Sequence, residues 1–409
     1  MLNKIWAAFF LIAVMAGGYR WLALGDAAVW AAMVSASFSM ARTAFEIALG
    51  LTGMMCLWLG LMRLGEKGGA VELLARAFTP LLRRLFPGVP EGHPAIGAMI
   101  MNLSANMLGL DNAATPLGIK AMKELQSLNP EPDRATDAQI LFLVLNTACF
   151  TLVPATIFVY RAQLGAADPT DVFLPVLMAT FTSTMVGLIV TGMVQRLRLW
   201  DPVVLAYLVG MTAAVGGLLL YFGRLERVEL ERQSSLMSNF LIFAIIITFV
   251  GLAFWRREPV YETFVGGAKE GFQVAVGIIP YLVAMLVAIG ILRASGALDL
   301  LLDGVRWGVA SLGVDTRWVD GLPTALMRPL SGSGSRGMML ETMKTHGADS
   351  FAGRLVCIIQ GSSETTFYIL AVYFGAVGIK RERYAVPVGL TADLAGYTAA
   401  ILLTYLFFG

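Results

Sequence analysis

Charge is what this sequence has little of. Asp, Glu, Lys and Arg make up 14% of its 409 residues, where a soluble domain carries about a quarter. Hydrophobic residues make up 57%, and the mean hydropathy is +0.72. These figures exclude an ordinary soluble domain and leave a polytopic membrane protein. The net charge of +2 offers no basic surface to nucleic acid; what carries information is where the positive charges fall. Cysteine is scarce too. Cys56, Cys149 and Cys357 each stand alone in an apolar run, which excludes a disulfide framework and a metal-ligand spacing and suits small buried hydrophobes. The two histidines, His93 and His346, are too isolated for a metal cluster. No Walker loop, HExxH or kinase signature occurs, and the Gly-x-Ser patterns at 332–335 lack a strand–turn–helix setting. No enzyme, metal site or cofactor is expected.

What the chain does have is apolar length. Nine stretches approach the roughly 20 residues a crossing helix needs: 5–24, 45–62, 138–160, 172–194, 202–222, 236–255, 272–292, 355–378 and 385–408. The start, Met1-Leu2-Asn3-Lys4 before a run of apolar residues, resembles a secretory signal. An internal span, 240–255, fills the same place later in the chain, so 5–24 is expected to stay as the first transmembrane helix. Two amphipathic stretches, 70–86 and 297–312, are expected to lie in the membrane interface.

Two stretches are polar where the chain should be apolar. One runs from Met101 through Asn102, Ser104, Asn106, Asp111 and Asn112 to Pro116; the other runs from Leu326 through Arg328, Ser331, Ser333 and Ser335 to Gly337. Gly, Pro, Asn and Ser break both too often for one crossing helix. Non-helical backbone at membrane depth survives only when buried in protein or lining a wet cavity. A matched pair of such segments is a pointer to a transporter's binding site.

The pair belongs to an internal repeat. Residues 45–50 match 272–277, Gly60-Leu61-Met62-Arg63 matches Gly290-Ile291-Leu292-Arg293, Leu103-Ser104 matches Leu330-Ser331, and Leu174-Pro175-Val176 matches Val386-Pro387-Val388. The unpaired span 202–222 between the copies inverts the second one. Charge agrees: 65–95 carries Lys67, Arg76, Arg83 and Arg84, whereas 294–321 carries only Arg306 and Arg317 against four aspartates. The positive-inside rule then places the N-terminus in the cytoplasm and the C-terminus outside. The fold class expected is an all-α polytopic membrane protein with inverted repeats, about nine spans and two re-entrant hairpins.

Three constellations could carry chemistry. In the first hairpin, Asn102, Ser104, Asn106, Asn112 and Thr115 can donate and accept. The spacing of 102, 104 and 106 reads as unwound backbone. These residues serve either a polar solute or only the capping of half-helices. In the second, Ser331, Ser333 and Ser335 alternate with glycine between Arg328 and Arg336, which reads as an anion cradle or as a bend whose arginines pair with Glu364 or Asp393. The third is Gln360-Gly361-Ser362-Ser363-Glu364-Thr365 inside an apolar span, with Asn146 and Thr147 as its counterpart. A carboxylate at that depth is paired, protonated or ion-coupled. Glu364, and after it Asp393 and Asp111, are the candidates for ion coupling or counter-ion.

The first half, through Arg83-Arg84-Leu85-Phe86-Pro87, His93-Pro94 and 102–122, resembles the spore maturation protein A family. The second, through 328–334, Gln360-Gly361-Ser362 and Thr365-Thr366-Phe367-Tyr368, resembles the spore maturation protein B family. The domains expected are 1–199, A-like; 200–234, the joining span and loop; and 235–409, B-like. Both families carry the nucleoside-recognition or gate domain, shared with concentrative nucleoside transporters and the ferrous iron transporter B membrane domain. The resemblance implies an inner-membrane, transport-like protein; in spore formers the pair is linked to spore-core dehydration.

The function expected is a secondary transporter or channel-like carrier for a small polar or anionic organic solute, with Na⁺ or H⁺ as the coupling ion the pattern allows. A non-transporting scaffold or sensor built on a transporter fold stands as the alternative. Membrane lipids and the solute are the expected partners, nucleic acid is not, and a homo-oligomer is left open.

Overall fold

The computed structural model describes residues 2–90 and 92–409, with the side chains of residues 2, 3 and 111–113 outside that description. Among the described residues the regular structure is helical, apart from one isolated bridge between Arg134 and Arg381. The first half contains α1 (Leu2–Leu24), α2 (Ala28–Gly68), α3 (Ala70–Leu85), α4 (Pro94–Met107), α5 (Asp111–Gln126), α6 (Asp137–Thr147), α7 (Ala155–Gln163) and α8 (Phe173–Gln195). Helix α9 (Pro202–Phe222) joins it to the second half. There the order is α10 (Arg227–Trp255), α11 (Val260–Gly277), α12 (Ile279–Ala294), α13 (Ala297–Ala310), a 3-10 turn at Arg317–Gly321, α14 (Leu322–Met327), α15 (Gly332–His346), α16 (Phe351–Ser362), α17 (Thr366–Gly375) and α18 (Ala385–Phe408).

Eight helical stretches among the described residues are long and apolar enough to cross a membrane. The remaining expected span, 138–160, is the pair α6 and α7, neither long enough to cross alone. Helix α2 is longer than expected. It begins at Ala28, because the Ala- and Met-rich segment before residue 45 holds no glycine or proline to stop it. At 41 residues it is about 60 Å long, twice the hydrocarbon thickness, so it tilts or projects from the membrane.

The repeat is visible in local geometry. Each crossing helix hands over to its amphipathic helix through a left-handed glycine, Gly69 at φ +87° before α3 and Gly296 at φ +82° before α13. A side chain would strain both turns.

The orientation of the copies follows from their contacts. Ahead of α6, the carbonyl of Asp133 accepts from the amides of Lys380 and Arg381, each at 2.9 Å, in the loop after α17. At the other end, Arg161 near the close of α7 donates to the carbonyl of Ala348 at 2.7 Å, just ahead of α16. The start of one broken pair therefore touches the end of the other, at both ends. α6–α7 and α16–α17 run antiparallel, and so do the repeats they belong to. The next helices are antiparallel too: Ser183 and Gly187 of α8 lie against Gly396 and Ala392 of α18 in reverse order, and Ser183 donates to the carbonyl of Ala392 at 3.0 Å.

The broken helices form the centre of the protein. Ile140 to Val144 and Leu355 to Ile358 are almost completely buried. On the outer helices the apolar side chains face outward instead: Leu22, Phe38, Phe243 and Trp255 are all largely exposed. Such a surface suits lipid, and the helices satisfy their own backbone groups, as a lipid-facing element must.

Candidate functional site

Four irregular segments meet at the centre. Helix α6 stops at Thr147, and residues 148–154 are non-helical until Pro154 opens α7. Helix α16 stops at Ser362, and Ser363–Thr365 are extended before α17. The tip of the first hairpin, 108–110, turns on Gly109 at φ +73°. The second turns at 328–331, where the Ser331 hydroxyl caps α15 by accepting from the Gly334 amide at 3.0 Å.

Backbone bonds tie these segments together. In the first half, the amide of Leu152 in the helix break donates to the carbonyl of Met107 at the hairpin tip, at 2.7 Å. In the second, Phe367 after the break donates to Pro329 at the tip, at 2.9 Å. The two breaks are joined by the amide of Glu364 donating to the carbonyl of Thr147 at 2.7 Å. Each hairpin thus rests on the break of its own half, and the halves meet break to break. The ends of four half-helices, with their partial charges, point at one region.

A cavity of about 400 Å³ opens at this junction. From the first half it is lined by Asn106, Gly109, Thr151 and Pro154; from the second by Arg328, Arg336, Gln360 and Glu364. Arg328 is the most constrained of these. It is buried, and its guanidinium grips the Ser363 carbonyl, through Nε at 2.8 Å and through Nη2, while Nη1 reaches Thr365 Oγ1 at 3.4 Å. The same group lies 3.3 Å from the Glu364 carboxylate, which is partly exposed toward the cavity. Arg336 lies over the ring of Tyr160 with its guanidinium carbon 5.8 Å from the centroid.

The remaining expected residues fall into distinct settings. Asn106 donates to Asn146 Oδ1 at 2.6 Å, and the buried Asn146 donates to the Phe142 carbonyl at 2.8 Å, so an amide pair connects α4 with α6. Asn102 donates to the Ala114 carbonyl at 2.7 Å and to the Tyr373 hydroxyl at 3.2 Å, bracing the two arms of the first hairpin. Contrary to the unwound stretch expected there, 102, 104 and 106 lie within α4, and the break comes only at 108–110. Asn102 and Asn106 are one turn apart and share a face, while Ser104 is buried elsewhere on the helix. Thr147, Ser335 and Ser362 each donate a hydroxyl to a carbonyl of their own helix. Ser333 lies 3.3 Å from the Ser331 hydroxyl, and Thr115 is half-buried on α5. The Ser363 hydroxyl and Gln360 Oε1 are buried without a hydrogen-bond partner, and Asp393 is buried on α18. The side chains of Asp111 and Asn112 lie outside the described ones.

The cavity also holds charges that were not singled out from the sequence. Arg63 and Glu66 of α2 pair at 2.7 Å on its wall, and Glu270 of α11 faces it. The one available signal was the repeated Gly-x-x-Arg of residues 60–63 and 290–293. Its second arginine, Arg293, is held by Glu341 at 2.6 Å. Three arginines and three carboxylates line the cavity, so it presents both signs rather than one.

Comparison with known proteins agrees with this architecture. The family model described as Gate, nucleoside recognition, matches residues 48–164 and 275–380, one block in each half. Spore maturation protein B of Bacillus subtilis (strain 168) is 46% identical over 175 residues, covering 42% of this chain and 97% of that protein. Spore maturation protein A of the same organism is 41% identical over 155 residues, covering 38% of this chain and 79% of that protein. No solved structure matches.

Proposed function

This chain belongs to the nucleoside-recognition gate family, and from that premise we propose that it is a secondary transporter-like protein of the inner membrane. It binds and moves a small polar or anionic organic solute at a mid-membrane site between its inverted repeats. One observation carries this reading: the charged cavity of about 400 Å³ lies where both helix breaks and both hairpin tips meet. Its volume suits a small ligand. A non-transporting scaffold would call for a packed, dry centre, and the cavity favours the carrier.

In this reading Arg328 and Arg336 receive the anionic or most electron-rich part of the solute, Asn106 and Gln360 hydrogen-bond its polar groups, and Glu364 is the counter-ion. The mixed charge of the walls favours a solute with donors as well as acceptors. A nucleoside meets that description and is the first candidate, ahead of amino acids, dicarboxylates and phosphate esters. The arginine-rich 65–95 region faces the cytoplasm, with the N-terminus on that side and the C-terminus opposite. Reporters fused to the two ends should therefore give signals from opposite sides.

The test is uptake of each labelled solute class into proteoliposomes, with and without a Na⁺ gradient. Accumulation of one class, reduced at least tenfold in Glu364→Gln, is the expected result. No uptake or binding of any class would overturn the carrier reading, and full activity in Glu364→Gln would remove that residue from it.

A further inference from the structure

Helix α18 carries a carboxylate that the cavity does not use. Asp393 is 1% exposed and is absent from the cavity wall. Its Oδ2 accepts from the Thr366 hydroxyl at 2.6 Å, while Oδ1 has no hydrogen-bond partner. Two more buried oxygens stand beside it, the hydroxyls of Ser363 and Tyr397, and neither makes a hydrogen bond of good geometry. Ser363 stands at the break, with its hydroxyl within side-chain hydrogen-bonding reach of both Asp393 and Tyr397. Tyr397 lies one helical turn beyond Asp393 on the same face of α18. Three buried oxygens thus converge on one place without a well-formed hydrogen bond among them, where buried polar atoms are almost always bonded.

The surroundings are negative. The last carbonyls of α16 end here: a Cβ built on Gly396 of α18 would come within 3.3 Å of the Ser362 carbonyl oxygen. A helix C-terminus adds partial negative charge. The charged neighbours of Asp393 are Arg328 and Glu364, and these two pair with each other at 3.3 Å. From α6 and α8 the groups against α18 are the uncharged Thr147 and Ser183. The group as a whole is thus short of one positive charge. A buried carboxylate in that position is paired, bound to a cation, or neutralised.

We propose that Asp393, Ser363, Thr366 and Tyr397, with the terminal carbonyls of α16, form a binding site for Na⁺. A proton would neutralise Asp393 through one oxygen, whereas a small hard cation takes lone pairs from several of these converging oxygens at once. A single carboxylate suits a monovalent ion, since sites for Ca²⁺ and Mg²⁺ generally gather more anionic oxygen. Broken-helix C-termini and unwound carbonyls are suitable ligands at membrane depth. The internal repeat also fixes the stoichiometry. Aligning Pro175 with Pro387 puts Phe181 opposite Asp393, and Phe181 packs edge-on against Phe150 at 6.3 Å. The equivalent position of the first half holds no carboxylate, so the described residues offer one site of this kind.

The experiment uses the full chain in detergent at pH 8, with NaCl replacing choline chloride at constant ionic strength. ²²Na⁺ binding and the melting temperature are both read. Saturable binding of one Na⁺ per chain, with a matching rise in melting temperature, is expected for the native protein. Asp393→Asn should abolish both, and Ser363→Ala should weaken the affinity at least tenfold. If Asp393→Asn does not fold, Ser363→Ala and Tyr397→Phe carry the test, because they keep the carboxylate. Absence of saturable Na⁺ binding in the native protein, or unchanged binding in these variants, overturns the site. Sodium binding is measured without solute and solute binding in choline, so the ion site and the cavity can each fail alone.

Discussion

The amide of Glu364 donates to the carbonyl of Thr147 at 2.7 Å, and this single bond joins the helix break of one repeat to the helix break of the other. Each group lies where a helical ladder ends, so without this bond both would be left unsatisfied. The interruption is therefore completed by the other half of the chain. A break that looks like a defect in either half alone is a structural contact in the whole.

Arg328 holds the second break open. Its fork grips the Ser363 carbonyl and faces Glu364 at 3.3 Å. Replacing it with methionine should cost about 1.5–3 kcal/mol, the range for hydrogen bonds to a charged group. Arg328→Lys should recover part of the stability but not solute binding, because an ammonium lacks the planar fork. Denaturation in detergent, alongside solute binding, checks both statements.

Gly109 is required at the first hairpin tip. Its φ of +73° is left-handed, and an added Cβ would stand 2.7 Å from the Val153 carbonyl oxygen. Gly109→Ala should cost about 1–2 kcal/mol from the backbone alone. The clash should also part the tip from the break, so solute affinity should fall together with the melting temperature. An unchanged affinity would detach the tip from the site.

The end of the bundle near Arg161 should behave as a structural strut. Arg161 is completely buried and bonds Asp171 at 2.7 Å, Asp349 at 3.1 Å and the Ala348 carbonyl at 2.7 Å. Arg161→Met should destabilise by about 3–5 kcal/mol, because it leaves Asp171 buried without its closest partner. Adding Asp171→Asn to that variant should restore part of the loss. Chemical denaturation of the single and double variants measures the coupling.

Acid should loosen the loop after α7. Burial raises the Asp168 carboxyl, but hydrogen bonds from Ser235, Thr170 and Asn239 outweigh it and hold the group below its ordinary value of 3.8. A carboxylate lowered in the folded state contributes stability that is complete above the unfolded value and is lost as pH falls through the folded one. The contribution should therefore persist down to about pH 4 and disappear below it. Melting temperatures from pH 6 to pH 3 should show a steeper acid limb in the native protein than in Asp168→Asn.

Much of this was legible from the letters. Gly, Pro, Asn and Ser inside apolar runs mark the breaks at 147–154 and 362–365, and the repeated Leu-Pro-Val and Gly-x-x-Arg fragments expose the duplication. Inversion followed from one unpaired span and from the charge bias of the loops. What escaped were charges close to span ends. Arg63, Glu66 and Arg161 look like interfacial anchors in sequence, and only packing against the other half reveals two of them on the cavity wall and one in a buried ion pair. Helicity at 102–106 was hidden for a different reason. Alternating polar residues suggest extended backbone, yet Pro94 at the first turn and a His93 cap start a helix that carries through them. The start of α2 at Ala28 was missed because hydropathy windows follow apolarity, whereas a helix continues until something stops it.

The central claim is that a wet polar site lies at the junction of the two inverted breaks. It is tested most directly by thiol accessibility. With Cys56, Cys149 and Cys357 replaced by alanine or serine, a cysteine introduced by Glu364→Cys should react in membranes with a hydrophilic, membrane-impermeant reagent applied from one side. One introduced by Leu355→Cys, fully buried in the same broken helix, should not. Equal inertness at 364 and 355 would mean a packed, dry centre and would contradict the account.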